Sequence, residues 1–330
     1  MNVHRRVAPA LAAIAALTWS PAALAQSTAG SAEPSTANAL VTISTASLRA
    51  TPSHAAELET QALGGTPAAL GERRGDFISA TLPNGYRAWV PVSSVKRKSS
   101  AEMKAWRGAD RRIVTTPCPI YLTSDTLSAG PHNMVSDLVA GCIVEVPAVA
   151  TATAAGRYIY VSLPDGRAGY VSADAVAPLD AFLSRKPSAE AIMEFARSLT
   201  GTPYLWGGNS TKAVDCSGLT SLAYMMGAGV QLPRNASQQA RIGVAVDKND
   251  ISKFQAGDLI FFTNSRSGKV NHVGLATGDG RIIHASGRVR NDSLDPKAAD
   301  YIGRPIHSVR RVLGTADAVR LIDSPLYFNR

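Results

Sequence analysis

The residues with the clearest capacity for chemistry are Cys216, His272 and His284. A thiol is a strong nucleophile only as thiolate, so a cysteine needs a base to take its proton, and the base needs a third polar group to orient it. One cysteine followed by two histidines supplies all three roles. Cys216 stands in Asp215-Cys216-Ser217-Gly218, and the run that follows carries Leu219, Leu222, Ala223 and Met226 at the i, i+3, i+4, i+7 spacing of a helix with one buried face. Cys216 then falls in the first turn, where unpaired backbone N–H groups and the helix dipole favour an anion and lower a thiol pKa. Asp215 also reads as an acid that caps this helix. Downstream, Val273 to Thr277 and Arg281 to Ala285 read as two strands joined at Gly278-Asp279-Gly280. A pairing centred on Gly278 sets His272 directly opposite His284, whereas a two-residue loop puts them on different faces, so the chemistry requires the odd-numbered register. Each residue also has an ordinary structural role, as an inert buried thiol or a satisfied core histidine. Their combination favours catalysis.

The surrounding blocks sharpen this. Tyr204-Leu205-Trp206-Gly207-Gly208, Asp215-Cys216-Ser217-Gly218, Leu232-Pro233-Arg234, Gly257 to Phe262, His272-Val273-Gly274 and Ile283-His284-Ala285 occur in that order. Together they resemble the NlpC/P60 cysteine peptidases over about residues 188–315. The resemblance implies a papain-like α+β fold and cleavage of bacterial cell-wall peptides at the γ-D-glutamyl–diamino acid bond. It makes Cys216 the nucleophile, His272 the base and His284 the third polar residue. Tyr204 matches a family tyrosine near the nucleophile, and its hydroxyl would aid oxyanion stabilisation beside the Cys216 N–H. Trp206 reads as aromatic packing beside the Gly-Gly turn. A zinc site made from Cys216, His272 and His284 would consume the nucleophile, and no metal or cofactor is expected. His4, His54, His132 and His307 have no motif around them.

The elements that must position these residues are divided unevenly along the 330-residue chain, whose 45% hydrophobic and 18% charged content is that of a globular protein of several domains. Residues 1–25 read as a secretory signal, with Arg5 and Arg6 before an apolar stretch and Ala23-Leu24-Ala25 before Gln26. No later apolar run is long enough for a membrane span, and the residue directly after the cleavage site is Gln26, not a cysteine that could carry a lipid anchor. The expectation is an exported, periplasmic protein. Residues 26–39 read as a flexible lead-in. An internal repeat follows: Leu82-Pro83-Asn84-Gly85 and Leu163-Pro164-Asp165-Gly166 are hairpin turns, each between a β-type run and an aromatic-Val strand. This places two small all-β barrels resembling bacterial SH3 domains at 40–98 and 112–180, with a connector at 99–111 and the peptidase domain at 181–330.

Outside the cytoplasm disulfides persist. With Cys216 kept free, Cys118 and Cys142 are the one intramolecular pair, either bridged or two buried free thiols. The formal net charge of +9 falls to +7 once Arg5 and Arg6 leave with the signal. Such a charge permits attraction to an anionic cell wall. There is no basic stripe or module for nucleic acid.

In a subset of the resembling family the first SH3-like domain completes the substrate pocket, with an acid and a tyrosine holding the free amino group of an N-terminal L-Ala. Glu57, with Glu59 as the alternative, matches that acid and Tyr86 the tyrosine. Asp215 joins them, and Ser217 is counted with the substrate-binding residues. Carboxylates around one ammonium make charge-assisted hydrogen bonds that an acylated amine does not. Glu57 and Tyr86 also read as a solvated loop charge and a hairpin aromatic. The partners expected are peptidoglycan stem peptides and released cell-wall fragments. Two other readings stay open: an endopeptidase acting on intact peptidoglycan, and a non-catalytic wall-binding protein.

Overall fold

The computed structural model describes residues 37–125, 130–148, 157–263 and 268–329, so the expected signal segment and most of the lead-in lie outside the described residues. The first seven strands are β1 (Ala37–Val41), β2 (Thr45–Arg49), β3 (Leu58–Leu63), β4 (Pro67–Arg74), β5 (Phe77–Thr81), β6 (Arg87–Pro91) and β7 (Val95–Lys98). They form one antiparallel sheet in the order β3, β2, β6, β5, β4, β1, β7. Strand β1 begins three residues inside the stretch expected as lead-in, because its pairing to both β4 and β7 holds it in the sheet.

The helix α1 (Ser100–Gly108) follows, started by a Ser99/Glu102 capping box. Next come β8 (Arg111–Val114), β9 (Cys118–Tyr121), β10 (Met134–Leu138), β11 (Ile143–Glu145), β12 (Tyr158–Ser162), β13 (Ala168–Ser172) and β14 (Val176–Pro178). Their order is β10, β9, β13, β12, β11, β8, β14, the first sheet repeated strand for strand. The two matching hairpins close alike, Leu82 N–H bonding to Tyr86 O (2.9 Å) and Leu163 N–H to Arg167 O (2.8 Å). Cys118, half-buried, and Cys142, buried, are free thiols in this structure. The buried Cys142 thiol faces the first sheet instead, donating to the Ser44 carbonyl at 3.3 Å.

The remaining chain gives α2 (Leu179–Ser184), α3 (Ala189–Ser198), the short pair β15 (Asn209–Ser210) and β16 (Ala213–Val214), α4 (Cys216–Ala228), α5 (Ala236–Gln239) and β17 (Val244–Val246). The last strands are β18 (Leu259–Thr263), β19 (Val270–Ala276), β20 (Arg281–Ser286), β21 (Arg288–Ser293) and β22 (Ile306–Arg311). An antiparallel sheet in the order β17, β22, β18, β19, β20, β21 packs against α4 through β19 and β20. One hydrophobic cluster runs from Leu40 and Leu63 of the first sheet through Val144 and Val161 of the second to Leu222, Phe261 and Val273. The barrels are thus welded to the α+β unit rather than strung beside it. Among the described residues no helix is long and apolar enough to cross a membrane.

Candidate active site

Leu219, Leu222, Ala223 and Met226 are all buried, as their spacing requires, and they turn the first residue of α4, Cys216, into a closed cleft where it is 7% exposed. The backbone N–H groups of Val273 and Ser217 favour the thiolate, but burial outweighs them and, with the Asp215 charge, pushes the Cys216 thiol up to about 11. The helix terminus alone does not make a resting thiolate here, because desolvation of the anion is the larger effect.

The histidines meet differently from a direct cross-strand pair. The β19–β20 turn is centred on Asp279, one residue later than expected, because Thr277 N–H bonds to Arg281 O around a three-residue loop. His284 therefore lies opposite Gly274, and His272, two residues earlier in β19, is its diagonal neighbour on the same face. A side chain at Gly274 would stand on that face too, its Cβ only 2.8 Å from Cβ of His284, so the glycine clears space for the ring pair. The same step recurs on the next strand: His284 pairs with Arg290, and Asp292 is two residues further on. The result is a line across three strands, His272 Nε2 to His284 Nδ1 at 2.7 Å and His284 Nε2 to Asp292 Oδ2 at 3.0 Å.

That line fixes the protons. The Asp292 carboxylate accepts, so His284 carries its hydrogen on Nε2 and presents a lone pair at Nδ1. His272 must then donate from Nε2, which leaves its Nδ1 unprotonated as the basic atom. Among the described residues no hydrogen bond yet joins this ring to the Cys216 sulfur, which sits against the next residue, Val273. Burial, then the adjacent His284 and Arg304, holds His272 down to about 3, and burial lowers His284 as well. At neutral pH the pair is neutral thiol and neutral imidazole.

Because unfolded His272 takes up a proton near its ordinary value of 6.5 and the folded residue resists it down to about 3, folding stability is lost as pH falls through that window. The loss from this residue between pH 7 and pH 5 is expected to be about 2 kcal/mol. Urea titrations at the two pH values check it, and His272→Gln should show a correspondingly shallower dependence.

Asp215 caps α4, and both its oxygens are engaged. Gly218 N–H (2.6 Å), Ser217 Oγ (3.1 Å) and Arg234 Nη1 (3.1 Å) reach Oδ1, while Gly207 N–H (3.0 Å) and Arg234 Nη2 (2.6 Å) reach Oδ2. Arg234, 2% exposed, also donates to Ser217 Oγ at 2.9 Å and, across to β3, to Thr60 Oγ1 at 2.6 Å. Strand β3 is an edge of the first barrel, and it docks here. Asn209 N–H bonds to the Gln61 side chain at 3.0 Å, and a Cβ on Gly207 would lie 2.4 Å from the Leu58 carbonyl.

The docked strand brings Glu57 and Glu59 to a cavity of about 280 Å³, together with Trp206, Asp215, Cys216, Ser217, Asn235, Val270 and Asn271. Tyr86 donates its hydroxyl to Glu59, so the acid paired with the tyrosine is Glu59 rather than the more exposed Glu57. Burial, with the Glu59 hydrogen bond, pushes Tyr86 up to about 12. Tyr204 is half-buried near Cys216 and Asp215, whose negative charge adds to burial in raising it to about 12. Trp206 is not a packing residue: at 58% exposed it stands on the cavity rim.

Two central residues escaped sequence reasoning. Asp292 carries no local motif, although the Gly287 turn and the two-residue step would have placed it beside His284. Arg234 lay within a recognised block, but nothing local told that its partners would be Asp215 and a residue of another barrel.

A buried cysteine heading a helix, packed on an antiparallel sheet that bears a histidine line, defines a papain-like α+β cysteine peptidase preceded by two small all-β SH3-like barrels. Residues 201–311 match the NlpC/P60 family, and residues 48–95 match the bacterial dipeptidyl-peptidase SH3 domain. The chain is 29% identical over 258 residues to a γ-D-glutamyl-L-lysine dipeptidyl-peptidase of Bacillus cereus, covering 74% of this chain and 72% of that protein. It is 28% identical over 229 residues to the protein of the same name from Bacillus subtilis, covering 69% and 72%. A crystal structure of an NlpC/P60 family protein from Bacillus cereus shares the fold, with a TM-score of 0.69 at 24% identity over 84% of this chain and 99% of that one. The chain thus carries an NlpC/P60 cysteine peptidase domain, of a cell-wall hydrolase family, and a bacterial dipeptidyl-peptidase type of SH3 domain.

Proposed function

We propose that this protein is an exported hydrolase that cuts the γ-D-glutamyl–diamino acid bond of cell-wall stem peptides bearing a free N-terminal L-Ala. His272 Nδ1 takes the Cys216 proton, and the thiolate adds to the γ-carbonyl. The oxyanion is met by the Cys216 N–H and the Tyr204 hydroxyl. Collapse breaks the C–N bond, the His272 imidazolium protonates the departing amine, and water then hydrolyses the thioester to release L-Ala-γ-D-Glu. His284 and Asp292 keep the His272 tautomer and ring orientation through both steps.

The observation that carries the free-amine reading is the single cavity that holds Cys216 from α4 and two carboxylates from the first barrel. Asp215 is already neutralised by Arg234, so the ammonium is assigned to Glu59, with Tyr86 holding that carboxylate and Glu57 beside it. The names of the two Bacillus relatives support the same reading, since a dipeptidyl-peptidase releases the first two residues of its substrate. Residues 1–25 would direct export, and released muropeptides rather than intact sacculi would be the substrate.

The test compares L-Ala-γ-D-Glu-meso-diaminopimelate with its N-acetylated form and with sacculi, using the mature protein and Cys216→Ala. N-acetylation and Glu59→Gln are each expected to lower kcat/KM by about 10- to 100-fold, the loss of one charge-assisted hydrogen bond. Equal cleavage of the acetylated peptide or of sacculi would overturn amine recognition.

A further inference from the structure

Arg304 belongs to the segment between β21 and β22, just outside the catalytic line. Its neighbourhood is fixed by Thr263 N–H bonding to Pro305 O at 3.2 Å. Ile306 pairs with Phe262, which pairs with His272, so these three residues form one row across β22, β18 and β19. Two residues before Ile306, Arg304 stands at the end of the sheet where Val270 and Asn271 line the Cys216 cavity. Other arginines of this unit have carboxylate partners: Arg281 with Asp300, Arg290 with Asp292 and Arg311 with Asp258. Arg304, although half-buried, has no hydrogen bond or ion pair among the described residues. Its charge nevertheless reaches Tyr204, His272 and His284, acting against protonation of both rings.

A half-buried guanidinium without an acid is partly desolvated and uncompensated, a state that a ligand carboxylate would relieve with paired hydrogen bonds. The position says which carboxylate. Glu57 and Glu59 lie on the barrel side of Cys216, where the N-terminal residue would sit. His272 must hand its proton to the departing amine, so the residue carrying that amine lies over the histidine. We propose that Arg304 binds a carboxylate of the departing diamino acid and so makes a free carboxylate there a requirement for efficient cleavage. This rests on the peptidase reading above. The site would favour diaminopimelate, with two carboxylates, over lysine, with one, and both over a carboxamide.

The experiment uses L-Ala-γ-D-Glu joined to meso-diaminopimelate, to L-lysine or to L-lysine amide, with the mature protein and with Arg304→Gln and Arg304→Lys. The native enzyme is expected to cleave the amide about 10- to 100-fold less efficiently than the two acids. Arg304→Gln should lower kcat/KM for the acids to the level of the amide, so that discrimination disappears, and Arg304→Lys should restore part of it. An unchanged ratio of acid to amide in Arg304→Gln would overturn the proposal. So would a loss common to all three peptides that vanishes when D-glutamate is replaced by D-isoglutamine, because the arginine would then read the glutamyl carboxylate. Failure of the native enzyme on every peptide would instead sink the peptidase reading.

Discussion

Replacing Arg234 with alanine is expected to destabilise the protein by about 3–5 kcal/mol, the penalty of leaving one member of a buried ion pair behind. Asp215 would keep its three remaining donors from Gly207, Ser217 and Gly218, but its charge would stay in a closed site with no cation. Thr60 would lose the bond that ties the edge of the first barrel to the catalytic unit. The effect on activity should exceed the loss of folded protein, because the Asp215 cap sets the first turn of α4 and the β3 edge brings Glu59 to the cavity. Chemical denaturation of Arg234→Ala, and of Arg234→Met combined with Asp215→Asn, measures this. The double variant removes both charges and should recover a large part of the stability. If the single variant is as stable as the native protein, the pair does not hold the barrel.

His272→Ala is expected to lower kcat by about 10²- to 10⁴-fold, the usual contribution of a positioned general base, with folding retained at neutral pH. Asp292→Asn separates base from support. Its carboxamide oxygen still accepts from His284 Nε2, so the tautomers survive, but its charge no longer raises the pKa of either ring. A weaker base should mean a smaller fall in kcat, about tenfold by analogy with one lost charge-assisted bond. The acidic limb of the pH profile should move to lower pH, since the rings would hold their protons less firmly. A profile that keeps its shape and position would reduce Asp292 to a packing role.

The local parts of the site were legible because local physics determines them. The apolar spacing after Cys216 required a helix with that residue at its head, and the turn glycines after Ala276 required a hairpin. The repeat of a Leu-Pro-Asn/Asp-Gly turn announced two like barrels, and their strand orders coincide. Where expectations slipped, a long-range term had entered. The β19–β20 turn centre moved by one residue and the pairing therefore by two, trading a direct histidine pair for a diagonal one on the same face, because the loop closes on Thr277 and Arg281. The Cys216 pKa went up rather than down because burial by distant segments outweighs one helix terminus. Glu59 rather than Glu57 took the tyrosine because a side chain's direction depends on which strand edge meets which neighbour.

By itself, then, the sequence determined the chemistry available and the elements that carry it: a thiol at a helix start, two histidines on one hairpin and a doubled β unit. These follow from periodicities of 3.6 and 2 and from turn residues, which act over a few positions. The tertiary structure alone decided how those parts are joined, namely the Asp292 end of the histidine line, the Arg234 bridge from Asp215 to Thr60 and the barrel wall of the cavity. Such contacts join residues up to 174 positions apart. Their energies come from excluding water around charges that the folded chain brings together, and no local pattern records that.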